Sequence, residues 1–184
     1  MAPIGERGGD RMDKKITYWQ TVCFLFLSVV GTLLHFLFDW SGGSWAAALI
    51  APVNESIWEH LKLLVFPMVA FALAQSRWSG IDPRKVLAAK GKGLVAGLIL
   101  IPVLYYLVSG SLGSSPEWFN IALLFLAAAA ACWVDARALR RGESSAGGWA
   151  ILAGIVCVFW IFTFFPPRIP LFQDPITGTW GYFG

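Results

Sequence analysis

Hydrophobic residues in this chain come in long runs, separated by short polar stretches that hold most of its charge. Five runs are long enough to cross a hydrocarbon layer of roughly 30 Å at 1.5 Å of helical rise per residue. They cover about Thr17–Asp39, Glu59–Ser76, Gly93–Leu107, Trp118–Val134 and Gly148–Phe165. The third is the shortest by hydropathy and is extended backward through Lys85, whose aliphatic stem can snorkel. Between the first two, Ser41-Gly42-Gly43-Ser44 breaks the chain, and Trp45–Ala51 is too short to span. That piece is predicted to be an interfacial or re-entrant turn ending at Pro52. The pattern predicts an all-α, polytopic membrane bundle of about five transmembrane helices over residues 17–165. A polar segment, 1–16, precedes it. A tail, 166–184, follows, too polar and too broken by Pro166, Pro167 and Asp174-Pro175 to cross.

Composition agrees with this reading. Of the 184 residues, 57% are hydrophobic and only 14% charged, with a mean hydropathy of +0.65, far from a soluble domain. The run from Thr17 to Trp40 is too long for the core of a cleaved signal peptide, so it is expected to be a retained span. The net charge of +3 does not argue for nucleic acid, because the basic residues sort by membrane side. Arg7, Arg11, Lys14 and Lys15 precede the first span. Arg77, Arg84, Lys85, Lys90 and Lys92 fall between the second and third, and Arg137, Arg140 and Arg141 between the fourth and fifth. Of the 14 lysines and arginines only Lys62 and Arg168 fall elsewhere. The positive-inside rule then puts the amino terminus in the cytoplasm and the carboxyl terminus outside. Trp40, Trp45, Trp58 and Trp118 are expected at the outer interface, and Trp19, Trp78, Trp133 and Trp149 at the inner one. Cys23, Cys132 and Cys157 lie in apolar runs without C-x-x-C spacing and read as small buried hydrophobes. Gly91, Gly93, Gly97 and Ala127–Ala131 suit close helix packing, and Pro67 and Pro102 are expected to kink their spans.

Polarity concentrates in Pro52-Val53-Asn54-Glu55-Ser56-Ile57-Trp58-Glu59-His60-Leu61-Lys62. Asn54 suits a helix N-cap, and Ser56 with Glu59 has capping-box spacing. Glu55, Glu59 and Lys62 along one face also suit an ion-pair ladder that needs no further function. On the first span Thr21, Ser28, Thr32, His35 and Asp39 share a helical face, expected to point at other helices or a water-filled cavity. His35 and Asp39, four residues apart, suit a carboxylate orienting an imidazole, or a pair that simply ties the helix ends together. The first two spans run antiparallel, so His35 and His60 are expected at similar depth. His35, Asp39 and His60 are therefore the candidate ligands of a divalent metal (zinc, manganese or iron), with Glu55 and Glu59 as candidate catalytic carboxylates. Haem held by both histidines is disfavoured by the neighbouring acids. No phosphate-binding glycine loop, nucleophile elbow or H-E-x-x-H motif is present.

The strings Gly31-Thr32-Leu33-Leu34-His35-Phe36-Leu37-Phe38-Asp39-Trp40 and Pro52–Lys62, with Pro170–Thr179 of the tail, resemble a family of small bacterial multispanning membrane proteins known only as a domain of unknown function. The resemblance implies a bacterial plasma-membrane protein and brings no activity or cofactor. Three functions are open from the residues. The first is a metal-dependent hydrolase acting on a lipid or lipid-linked substrate, with the bilayer as its other partner. The second is a small proton- or cation-coupled transporter. The third is a non-enzymatic accessory or scaffold subunit.

Overall fold

The computed structural model describes the backbone of residues 4–183 and the side chains of residues 9–183. Seven helices follow in order: α1 (Ile4–Trp40), α2 (Trp45–Ala48), α3 (Ile57–His60), α4 (Lys62–Trp78), α5 (Pro83–Leu112), α6 (Glu117–Arg140) and α7 (Gly148–Phe164), with a short 3₁₀ turn at Pro170–Phe172. α3 and α4 are consecutive, so Ile57–Trp78 acts as one span. It, α1, α5 and α6 are long and apolar enough to cross a membrane, and α7 is apolar but shorter. Leu25, Val29 and Leu33 of α1, Ile99, Val103 and Leu107 of α5, and Ile121 of α6 are exposed. Apolar rows of that extent on the outside of a bundle fit lipid surroundings.

Several elements outrun their expected bounds. α1 begins within the polar leader, where no proline interrupts it and Lys14 pairs with Asp10 at 2.7 Å, one turn back. α5 starts at Pro83, with the Asp82 carboxylate capping the N–H of Arg84 at 2.9 Å. That start, two residues before the expected extension to Lys85, carries Lys90 about 10 Å along the helix from its first residue and into the bundle.

Small residues set the helix spacing. A Cβ added at Gly93 would lie 2.5 Å from the carbonyl oxygen of Ala131, and one at Gly97 would lie 2.5 Å from a methyl of Leu64. The α5–α6 contact, the most extensive in the fold, rests on the approach at Gly93, and Gly97 lets α4 close on α5. Gly31 does the same for α1 and α4, since a Cβ there would lie 2.7 Å from the carbonyl oxygen of Leu63.

Two lysines are fully buried. Lys62 turns its ammonium toward the outer loop. It donates to the carbonyls of Ala48 (2.7 Å) and Ala51 (3.1 Å) and pairs with Glu59 at 2.6 Å. The other bonds of Glu59 come from the N–H of Val53 at 3.0 Å and the Thr163 hydroxyl at 3.2 Å. This one network ties the segment after α2, the start of α4 and the end of α7. The capping box is therefore half made: Ser56 accepts from the N–H of Glu59, while the glutamate turns inward. Ser56 is the N-cap of α3; Asn54, expected there, instead accepts from the N–H of Ser56 at 3.0 Å. At the opposite end Lys90 pairs with Asp135. Asp135, one residue past the expected end of the fourth span at Val134, is thus buried within α6.

The polar stripe of α1 needs no polar neighbour. Thr21, Ser28 and Thr32 donate to carbonyls one turn back, at 3.0, 2.8 and 2.7 Å. Hydroxyls satisfied within their own helix tolerate lipid, and Thr21 and Thr32 are exposed. Two of the tryptophans expected at the interfaces pack inward. Trp58 stacks on Phe159 with ring centroids 4.3 Å apart, and Trp19 meets Phe71 edge-on. Cys23 and Cys132 are buried as expected, and Cys157 is exposed.

The tail folds back over the Lys62 end. Tyr182 donates its N–H to Thr163 at 2.8 Å and its hydroxyl to Gly43 at 3.2 Å, and Asn54 donates to Gly181. Asp174 organises the turn by accepting from the N–H groups of Ile176, Thr177 and Glu55. Burial alone would push its carboxyl up, but these N–H donors outweigh it and hold the carboxyl below the ordinary aspartate range.

Two outcomes follow. Glu59→Ala strands the Lys62 ammonium and is expected to cost about 3–5 kcal/mol, whereas Glu55→Ala, at an exposed carboxylate, stays within about 0.5 kcal/mol of the parent. Unfolding midpoints in detergent compare the two, and equal midpoints would contradict the assignment. Because the carboxyl of Asp174 is depressed on folding, its contribution is complete above about pH 4 and is lost as pH falls through the folded value. Trp180 fluorescence is expected to report tail release only below that point, and Asp174→Ala to show a released tail at neutral pH.

Candidate metal centre

The centre is assembled from three places in the chain. His35 lies on α1, one turn beyond Gly31, so the close approach that Gly31 allows brings its ring toward α4. His60 ends α3, and Glu55 stands on the turn before that helix. The two imidazole centroids are 5.1 Å apart at an interplanar angle of 43°. Nε2 of His60 is 3.4 Å from a carboxylate oxygen of Glu55. One ligand atom from each of His35, Glu55 and His60 lies within 4.8 Å of the others.

His60 is held by its own helix. Its Nδ1 is 3.0 Å from the carbonyl oxygen of Ser56. A carbonyl can only accept, so the neutral ring carries its proton on Nδ1 and presents the Nε2 lone pair to Glu55 and His35. That is the outer hydrogen bond that orients a metal-binding histidine. Two nitrogens and one carboxylate make a His₂Glu set, the kind that leaves a fourth position open on zinc. Ligand atoms about 2.0–2.2 Å from a tetrahedral zinc lie about 3.4 Å from one another, so small side-chain rotations close this set. All three side chains are part-exposed or exposed, which gives them that freedom.

The five candidate residues divide. His35, His60 and Glu55 come together. Asp39 is one turn beyond His35 at the exposed end of α1 and is outside the group. Glu59, next to His60 in sequence, points about 100° away round the helix, and its oxygens are taken by Lys62, Val53 and Thr163. It holds structure where His60 faces the site.

A cavity of about 250 Å³ adjoins the group. Glu55 and His60 stand on its wall, with Ile57, Leu63, Ile101, Leu123 and Leu124 as the apolar lining. Tyr105 of α5 and Glu117 and Asn120 of α6 bring polar groups to the same space, and Pro175 and Ile176 of the tail complete it. No lysine or arginine lines it among the described residues. Glu117, Asn120 and Tyr105 are not among the candidate site residues drawn from the sequence. The available signal was the i, i+3 spacing of Glu117 and Asn120 at the start of an apolar helix, together with the outer-face position of Glu117.

Comparison with protein families matches residues 10–182 to one described as a family of unknown function (DUF6512). Comparisons with curated proteins and with solved structures give no match. Since the family match runs over nearly the whole chain, this membrane-type helical protein belongs to that family of unknown function.

Proposed function

We propose that the chain is a membrane-embedded, metal-dependent hydrolase acting on a lipid or lipid-linked substrate at the exterior leaflet of a bacterial plasma membrane. The observation that carries this reading is the convergence of His35, His60 and Glu55 beside a largely apolar cavity, with His60 and Glu55 on its wall. These three residues would hold zinc, manganese or iron, and the chemistry such an ion would supply is a water activated near neutral pH. Glu59 is committed to Lys62, so the spare carboxylate is Glu117, on the same cavity, and it takes the proton from the attacking water. Tyr105 and Asn120 supply hydrogen-bond donors for the oxygen on which charge develops. Leu63, Ile101, Leu123 and Leu124 receive the apolar part of the substrate. With no basic side chain on the wall, nothing but the metal would pair with a phosphate, which favours a neutral ester or amide.

Protein purified without chelators is expected to carry one equivalent of metal by elemental analysis, to lose it in His35→Ala and His60→Ala, and to hold it at least ten-fold less tightly in Gly31→Ala, where α1 is pushed off α4. Glu117→Gln is expected to keep the metal while losing at least 100-fold in turnover of a neutral acyl ester in mixed micelles. Metal content equal in parent and double-histidine variant removes the proposal.

A second reading, a small proton-coupled carrier, is favoured by the buried Lys90–Asp135 pair, because ionisable groups at membrane depth are expensive and often lie on ion paths. It predicts pH-driven uptake in proteoliposomes that Asp135→Asn abolishes. Unchanged flux in that variant eliminates it.

A further inference from the structure

A second group of potential ligands sits deep in the bundle toward its basic end, and its chemistry is the opposite of the first. The Cys23 thiol on α1 is 4.0 Å from the thioether sulfur of Met68 on α4. Cys132 on α6 is buried in the same core cluster as Cys23 and Met68. Cys23 and Met68 are fully buried, Cys132 is 6% exposed, and neither cysteine is in a disulfide. Three sulfurs from three helices thus share one buried cluster, and neither histidine belongs to it. Lys90 stands over the group, with its ammonium 3.2 Å from the sulfur of Cys23 and 3.3 Å from the side-chain oxygen of Gln20.

We propose that Cys23, Cys132 and Met68 form a binding site for a soft monovalent cation, copper(I), distinct from the His₂Glu centre. Thiolate and thioether ligands select copper(I), and the absence of nitrogen and water ligands disfavours harder divalent ions. Metal–thiolate bonds of about 2.3 Å in a trigonal arrangement set sulfurs about 4.0 Å apart, the separation already present between Cys23 and Met68. Two thiolates around one monovalent cation leave one negative charge in a low-dielectric interior; it lies against the Lys90 ammonium, which is shared between the sulfur of Cys23 and the carboxylate of Asp135. A route exists as well. Cys132 and Gln20 line a groove of about 340 Å³ between α1 and α6, with Thr17 and Arg140 also on its wall. The side-chain nitrogen of Gln20 is buried there without a partner, a polar group left on the path to the sulfurs.

The test is an anaerobic titration of full-length protein in detergent with copper(I) buffered by bicinchoninate, followed by X-ray absorption at the copper edge. One copper(I) per chain with a first shell of sulfur only is expected. Binding is expected to survive Cys157→Ser and His35→Ala, to weaken at least ten-fold in Met68→Leu, and to be lost in Cys23→Ser and Cys132→Ser. Absorption on the unaltered protein keeps the test decisive where a cysteine variant does not fold. Failure to take copper(I) from the chelator, nitrogen or oxygen in the first shell, or binding that persists without Cys23 and Cys132 overturns the proposal.

Discussion

The ammonium of Lys62 is the constraint around which the candidate site is built. A lysine with no solvent access must be surrounded by acceptors, or the charge is too costly to bury. Glu59, Ala48 and Ala51 are those acceptors, and satisfying them draws the loop after α2 against the start of α4. Val53 and Thr163 then complete the coordination of Glu59 and bring in the end of α7. Once that segment is clamped, the direction of its neighbours follows from helical geometry. Glu59 faces the core, so His60, the next residue, faces α1 and the cavity. Ser56 caps the helix with its hydroxyl and orients His60 with its carbonyl. The polar stretch Asn54–Lys62 thus does two jobs on two faces of one turn.

The opposite end obeys the same rule with different partners. Lys90 and Asp135 come from the two helices in closest contact, and glycine at 93 permits that contact. Here the ammonium is shared among a carboxylate, an amide oxygen, a thiol and the face of Phe71, 4.9 Å from the ring centroid. Every partner is a side chain, whereas backbone carbonyls dominate around Lys62. Between the two charged ends the bundle is apolar, as a bilayer requires of anything within its hydrocarbon.

Much of the architecture was legible because hydropathy is summed over many residues. The spans, the break at Ser41–Ser44 and the polar tail all emerge from runs long enough to average out local exceptions. The site was legible in part. His35 and His60 at one level follow from antiparallel neighbours of known rise. Asp39 was the natural third ligand by i, i+4 spacing, but it lies where α1 leaves the bundle. The carboxylate that lies beside the imidazoles is Glu55, on a turn, where no periodicity fixes the direction of a side chain. The pairing of Lys90 with Asp135 was not legible, because hydropathy sees only a charge near the end of an apolar run. A proline-started, aspartate-capped helix carried one into the interior, and the other met it there.

What the sequence alone determined is therefore the class of the protein: a helical membrane bundle with both histidines at one end and most of its basic residues at the other. Those features depend on composition and on the rise and period of a helix. Which carboxylate joins the imidazoles, which is spent on a lysine, and which sulfurs meet were decided only in three dimensions. Each depends on how near two helices come and on how a turn is clamped, and a single glycine or one buried ammonium settles both.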